Sequence, residues 1–243
     1  MDRALGRRNP TDWVHIHKYS LQIAKPVANV EKRLRLPSWH TQWDQGSEGA
    51  CVGFGTSMMM SILNEQQARD GHHAPFSHKY NPFWLWNEAK KIDEWSDTNP
   101  GDTNGTSVRA GCDILRTLGH VRIVKGKEQP ADIRQGIKTN KWASTVDEMR
   151  TMISKGVPIA IGVNWYSSFD SPQKIGNGFY IPKTNIGRVR GGHCVCVYGA
   201  SDERQAFIFK NSWGKDYPLT WIPYSVMEKL LQEDGEATLV TDR

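Results

Sequence analysis

The pattern of apolar and polar positions changes character midway along the chain. Val52, Gly55, Met58, Met59, Ile62 and Gln66 recur at intervals of three and four, and Asp70-Gly71 supplies a stop. The spacing predicts a buried helix of roughly five turns with Cys51 in its first turn. Two further helices are predicted, over Pro82 to Ile92 and over Ser107 to Leu118, the second ended by Gly119. The polar run Asp93 to Gly105 between them reads as a long surface loop. After a short helix over Asp147 to Ser154 come Val157 to Val163, Gly178 to Ile181, Cys194 to Tyr198 and Ala206 to Phe209, which read as strands of a twisted antiparallel sheet. Helices first and strands later is the α+β pattern. No internal repeat points to a solenoid or a propeller. The chain divides into an arm over residues 1–35, a helical lobe over 36–140 and a β-rich lobe over 141–243.

Composition narrows the class. With 243 residues, 38% hydrophobic and 23% charged, the chain is neither disordered nor low in complexity. Its longest nearly apolar stretch, Val157 to Val163, is far shorter than the roughly 18 residues a membrane span needs, so no membrane partner is expected. Arg3, Arg7 and Arg8 have no apolar segment behind them, unlike the start of a secretory signal. Four cysteines are few for a secreted disulfide scaffold, and reduced thiols in a cytoplasmic compartment are the simpler expectation. Most of the ten tryptophans are expected as anchors in the core or between lobes.

Splitting the charge is more informative than its total of +5. Residues 1–36 hold eight basic and three acidic side chains, while the remaining residues balance at 23 of each. A basic arm on a neutral body suggests docking onto an acidic partner or onto the protein's own surface, beside the plainer reading of a solvated tether. Nucleic acid is not expected, because the body carries no basic stripe and the arm no recognised binding fold.

Three segments carry candidate chemistry: Gln45-Gly46-Ser47-Glu48-Gly49-Ala50-Cys51, Gly191-Gly192-His193, and Lys210-Asn211-Ser212-Trp213-Gly214. A thiol at a helix N-terminus gains about 0.3–1 kcal/mol for its thiolate from the macrodipole. That is too little to ionise a group whose ordinary pKa is about 8.5, so an imidazole must hold the thiolate as an ion pair. His193, behind two glycines that let backbone and substrate come close, is the best placed of eight histidines. Its second nitrogen needs an orienting acceptor, which Asn211 provides, with Trp213 placed to cover that hydrogen bond. Gln45, six residues before Cys51, is placed to donate to an oxyanion together with the Cys51 N–H.

The order Gln, Cys, His, Asn, with Gln-Gly six residues before the cysteine and Asn-Ser-Trp-Gly after the histidine, resembles the papain-like cysteine peptidases over about Leu36 to Leu231. The resemblance implies a two-lobed α+β fold with a substrate cleft between the lobes and a peptidase acting on polypeptides without metal or organic cofactor. It implies Cys51 as nucleophile, His193 as general acid and base, Asn211 as orienting residue and Gln45 as oxyanion donor. Gly105, in Gly105-Thr106-Ser107, falls where the family pairs glycines with substrate backbone, and Gly192 and Trp213 join it as expected substrate contacts. The chain departs from secreted members by Glu48 three residues before the cysteine and Val52 directly after it, as in relatives without disulfides. Only 44 residues precede Gln45, so a family-type inhibitory prodomain is not expected; whether the arm takes over that work is left open. The opening Gly6 to Trp13 resembles papain-like proteins of actinobacterial phages, which would place the protein in a host cytoplasm or virion.

Other readings attach to the same residues. His193, Cys194 and Cys196 as metal ligands are disfavoured, because alternation along a strand points 193 and 195 away from 194 and 196 and no fourth ligand is adjacent. Cys112, Met58, Met59 and Met60 read as packing. An inactive papain-like protein used for binding or virion assembly, and a thiol amidase or isopeptidase, are the rival functions.

Overall fold

In the computed structural model of the chain, residues 4–8, 26–71, 79–95 and 104–242 are described. Helix α1 (Cys51–Arg69) is buried on every side from Cys51 to Asn64. A helix apolar all round belongs in an interior, and α1 lies between α2 (Pro82–Lys90) and the long strand β9 (Val189–Ser201). It stops as the sequence predicts, with Asp70 as C-cap and Gly71 in the left-handed region at φ 80°. The Asn81 side chain accepts the Trp84 N–H at the start of α2, where Pro82 takes the first turn. Ser107 caps α3 (Val108–Thr117) in the same way through the Ala110 N–H. A capping box between Thr145 and Glu148 opens α4 (Val146–Ser154).

The larger sheet has nine described strands in the order β5-β12-β6-β9-β10-β11-β8-β7, with β1 (Glu31–Arg33) also paired to β9. These are β5 (Ile137–Ala143), β6 (Ile159–Tyr166), β7 (Gln173–Ile175), β8 (Gly178–Tyr180), β10 (Ala206–Lys210), β11 (Thr220–Pro223) and β12 (Glu236–Asp242). All pairs are antiparallel except β8 with β11. A small sheet of β2 (Lys79–Tyr80), β3 (Arg122–Val124) and β4 (Lys127–Glu128) sits beside the helices. Strand β9 separates two cores: Cys194, Cys196 and Tyr198 face the core around α1, while Val195 and Val197 face the core shared with α4 and α5 (Tyr224–Gln232). This is the alternation that disfavoured a metal site there.

The α+β architecture stands as read, with particular differences. Strand β9 starts at Val189, so Gly191-Gly192-His193 lies within a strand. Strands β5 and β12 and helix α5 were not foreseen. In β5 only Ile137, Trp142 and Ala143 are buried among exposed or half-exposed polar residues, too few for a periodic signal. Strand β1 lies inside the expected arm, and β5 straddles the expected lobe boundary at 140. Most of the expected loop at 93–105 lies outside the described residues. No helix among the described residues is long and apolar enough to cross a membrane.

Candidate active site

The turn Asp44 to Ala50 delivers Cys51 to the first position of α1, β9 presents His193, and Asn211 follows β10 directly. His193 Nε2 lies 2.8 Å from Asn211 Oδ1, which also accepts the Ser212 N–H at 2.7 Å. A carbonyl oxygen only accepts, so the hydrogen sits on Nε2 and neutral His193 keeps its lone pair on Nδ1. That Nδ1 is buried and has no hydrogen-bond partner. The ring is fully buried between Trp165, at 4.6 Å between centroids, and Trp213, at 4.8 Å. Trp213, expected among the substrate contacts, is 1% exposed and lies against His193, Trp165 and Tyr217. It packs against the imidazole.

Gln45 is held at three points. Its N–H donates to Ser212 O at 2.9 Å, its Oε1 accepts from Ser212 Oγ at 2.6 Å, and its Nε2 donates to Glu48 O at 2.8 Å and toward Ala4 O at 3.4 Å. The sequence reading assigned Ser212 no role, although its place between Asn211 and Trp213 was the available signal. By donating to Oε1, the Ser212 hydroxyl fixes the amide so that its NH2 group faces Glu48 O and Ala4 O.

The cleft itself holds a stretch of this chain. Gly6 and Arg7 both donate their N–H to Gly192 O, at 3.1 and 3.0 Å; Arg8 N–H donates to Thr106 O at 3.0 Å, and Thr106 N–H to Gly6 O at 2.9 Å. A Cβ on Gly105 would stand 1.4 Å from Gly6 O, and one on Gly192 2.0 Å from Arg7 O. Both glycines therefore meet a peptide backbone, and Thr106, which the sequence reading passed over, carries the paired backbone groups. Gly6, Arg7 and Arg8 of the basic arm thus dock on the protein's own surface.

Cys51 is fully buried, and desolvation pushes its thiol from an ordinary value of 9.0 up to about 12, against hydrogen bonds from the Cys194, Gly6 and Val52 backbones and the charge of Arg7. At about 1.4 kcal/mol per pKa unit, this disfavours the thiolate by roughly 4 kcal/mol, well above the roughly 0.3–1 kcal/mol of a macrodipole. Burial lowers His193 to about 4, outweighing the hydrogen bond that its Nε2–H donates to Asn211, which raises it. Both shifts run against the expected thiolate–imidazolium pair in this arm-bound form. All four cysteines are unbridged and buried, so Cys51 is distinguished by its place and not by its acidity.

No family model matches the chain. It is 21% identical over 220 residues, 82% of this chain and 68% of the relative, to an uncharacterised peptidase C1-like protein of Acanthamoeba polyphaga mimivirus. Among solved structures it superposes on xylellain, a cysteine protease from Xylella fastidiosa, with a TM-score of 0.70, 18% identity and coverage of 100% of this chain and 98% of that one. A procathepsin B from Trypanosoma congolense gives a TM-score of 0.61 at 10% identity, covering 98% and 87%. A digestive procathepsin L from Tenebrio molitor gives 0.58 at 15%, covering 98% and 78%. With these structures superposing along its length, the chain has the papain-like cysteine peptidase fold.

Proposed function

We propose that the protein is a papain-like cysteine endopeptidase, with Cys51, His193, Asn211 and Gln45 as its catalytic residues. One observation carries the reading: an extended polypeptide lies across the thiol, paired through its backbone with Gly192 and Thr106 on the two sides of the cleft. When the arm leaves, water reaches both groups and the desolvation that keeps them neutral is relieved. His193 Nδ1 then takes the Cys51 proton while Nε2–H stays on Asn211. The thiolate attacks the substrate carbonyl, and the oxyanion is met by Gln45 Nε2 and the Cys51 N–H. The imidazolium protonates the leaving amine, and His193 next activates the water that hydrolyses the thioester. The same backbone pairing that binds the arm serves a substrate strand, so the closed form is inhibited by occupancy.

The test is hydrolysis of a quenched-fluorescent peptide library by the full chain, by Arg7→Gln and by Cys51→Ala. Turnover that rises in Arg7→Gln and vanishes in Cys51→Ala is the expected result. Absence of any cleavage in wild type and Arg7→Gln would favour a binding protein on this fold.

A further inference from the structure

Two stretches that carry residues of the site, Trp43 to Gly46 before α1 and Ser212 to Gly214 after β10, are zipped together. Gly214 N–H donates to Trp43 O at 3.0 Å and Gln45 N–H to Ser212 O at 2.9 Å, and Asp44 forms an antiparallel bridge with Trp213. Gly214 stands in the left-handed region at φ 70° against the Asp44 carboxylate, where a Cβ would lie 2.7 Å from Asp44 Oδ2. Asp44 Oδ1 accepts the Gly46 N–H at 3.0 Å, which closes a turn around Gln45. Lys210, the last residue of β10, is 4% exposed and meets this seam from the interior. Its Nζ donates to Gly214 O at 3.4 Å, Asp44 is the carboxylate that acts on its charge, and it lines an interior pocket with Trp43, Phe54, Met58 and Cys194. An ammonium shut away from water is disfavoured, and burial lowers the Lys210 pKa to about 8 against the raising effect of Asp44. Around it, burial holds His40, in the 3-10 turn His40–Gln42, below 6.5 and pushes the Cys194 and Cys196 thiols of β9 up. Of these four groups, Lys210 is the one that changes charge at about pH 8.

We infer that Lys210 is a positioning residue: its ammonium, through Gly214 O and Asp44, holds the Trp43 to Gln45 stretch against Ser212 to Gly214 and so fixes the side-chain amide of Gln45. That this amide serves an oxyanion rests on the peptidase reading; the coupling of Lys210 to Gln45 does not. The experiment follows the Gln45 side-chain NH2 signals, identified by their loss in Gln45→Ala, in 15N–1H NMR spectra of the full chain carrying Cys51→Ala. The signals are expected to shift with a midpoint at about pH 8 and to stop doing so in Lys210→Met. Signals that stay still through this range, or that shift in Lys210→Met as before, overturn the inference. If Lys210→Met does not fold, Lys210→Arg takes its place, since a guanidinium stays charged throughout and should hold the signals still; a shift that persists there has another source and also overturns it. Hydrolysis by Arg7→Gln protein with Cys51 intact carries the second readout. Lys210→Met should lower kcat at least about tenfold with KM within about twofold, and Lys210→Arg should recover kcat to within about threefold. Unchanged kcat in Lys210→Met removes the positioning role whatever the spectra show. A Lys210-dependent shift without hydrolysis in any variant leaves the coupling and removes the peptidase, and hydrolysis with motionless signals does the reverse.

Discussion

Among the described residues two histidines are completely buried, and the contrast between them shows what burial alone does not explain. His120, beside α1 in the helical lobe, is satisfied at both nitrogens: Nδ1 accepts the Val121 N–H at 2.9 Å, and Nε2 lies 2.7 Å from Ser57 Oγ. It stacks on Tyr80 at 4.4 Å. His193, in the sheet lobe, is satisfied only at Nε2 and keeps an unpartnered Nδ1. Desolvation drives both below the ordinary imidazole value, to about 3 and about 4. Depressed basicity therefore does not separate a structural imidazole from a reactive one; an orphaned nitrogen beside a peptide-binding cleft does.

Substitutions can break this contrast. Cys51→Ala should have the largest effect, removing turnover altogether while circular dichroism and Tm stay those of the parent. His193→Gln should lower kcat/KM by roughly 100- to 10,000-fold; the same change at His120 should leave kcat/KM alone and cost about 1–3 kcal/mol of stability in urea melts, because Ser57 and the Val121 N–H lose their partner. A drop in kcat/KM as large for His120→Gln as for His193→Gln would sink the assignment. Gln45→Ala should lower turnover by roughly 100- to 1,000-fold if its NH2 group meets the oxyanion, and unchanged turnover would move the oxyanion site elsewhere.

The smallest effect is on stability against pH. Both histidines have folded-state pKa values below the unfolded 6.5, so the unfolded chain binds more protons between that value and about 3. Their contribution is present above pH 6.5 and is lost as pH falls through this window. His120→Gln should flatten the fall of the urea midpoint between pH 6.5 and 3. An unchanged slope would mean that His120 is not buried neutral.

Legibility in the sequence followed the range of the interaction. Helices α1 to α4 were readable because their caps and stops are local: Asn81 with Trp84, Ser107 with Ala110, Thr145 with Glu148, and Gly71 at positive φ. The candidate residues Gln45, Cys51, His193 and Asn211 were readable because each sits in a short run whose residue types serve one chemistry. Ser212 was visible but unassigned, since its hydroxyl acts on Gln45 across 167 positions. Strands β5 and β12 escaped because their few apolar residues are divided between the two cores, Ile137, Trp142 and Val240 in one and Ala143, Ala237 and Leu239 in the other, and are buried there by distant helices.

By itself the sequence determined helices α1 to α4, the strands around Val157–Val163, Gly178–Ile181, Cys194–Tyr198 and Ala206–Phe209, the excess of positive charge at the start of the chain and the identity of four candidate catalytic residues, because period, composition and spacing are properties of neighbours along the chain. Only the tertiary structure decided where that charge goes. It lays Gly6 against the thiol and buries Arg7 on Glu236, a partner 229 positions away. It also decided how far Cys51 and His193 are taken from water, which raises the thiol pKa and lowers the imidazole pKa, because desolvation depends on what covers a group: Gly6 and Arg7 lie by Cys51, and Trp165 and Trp213 by His193.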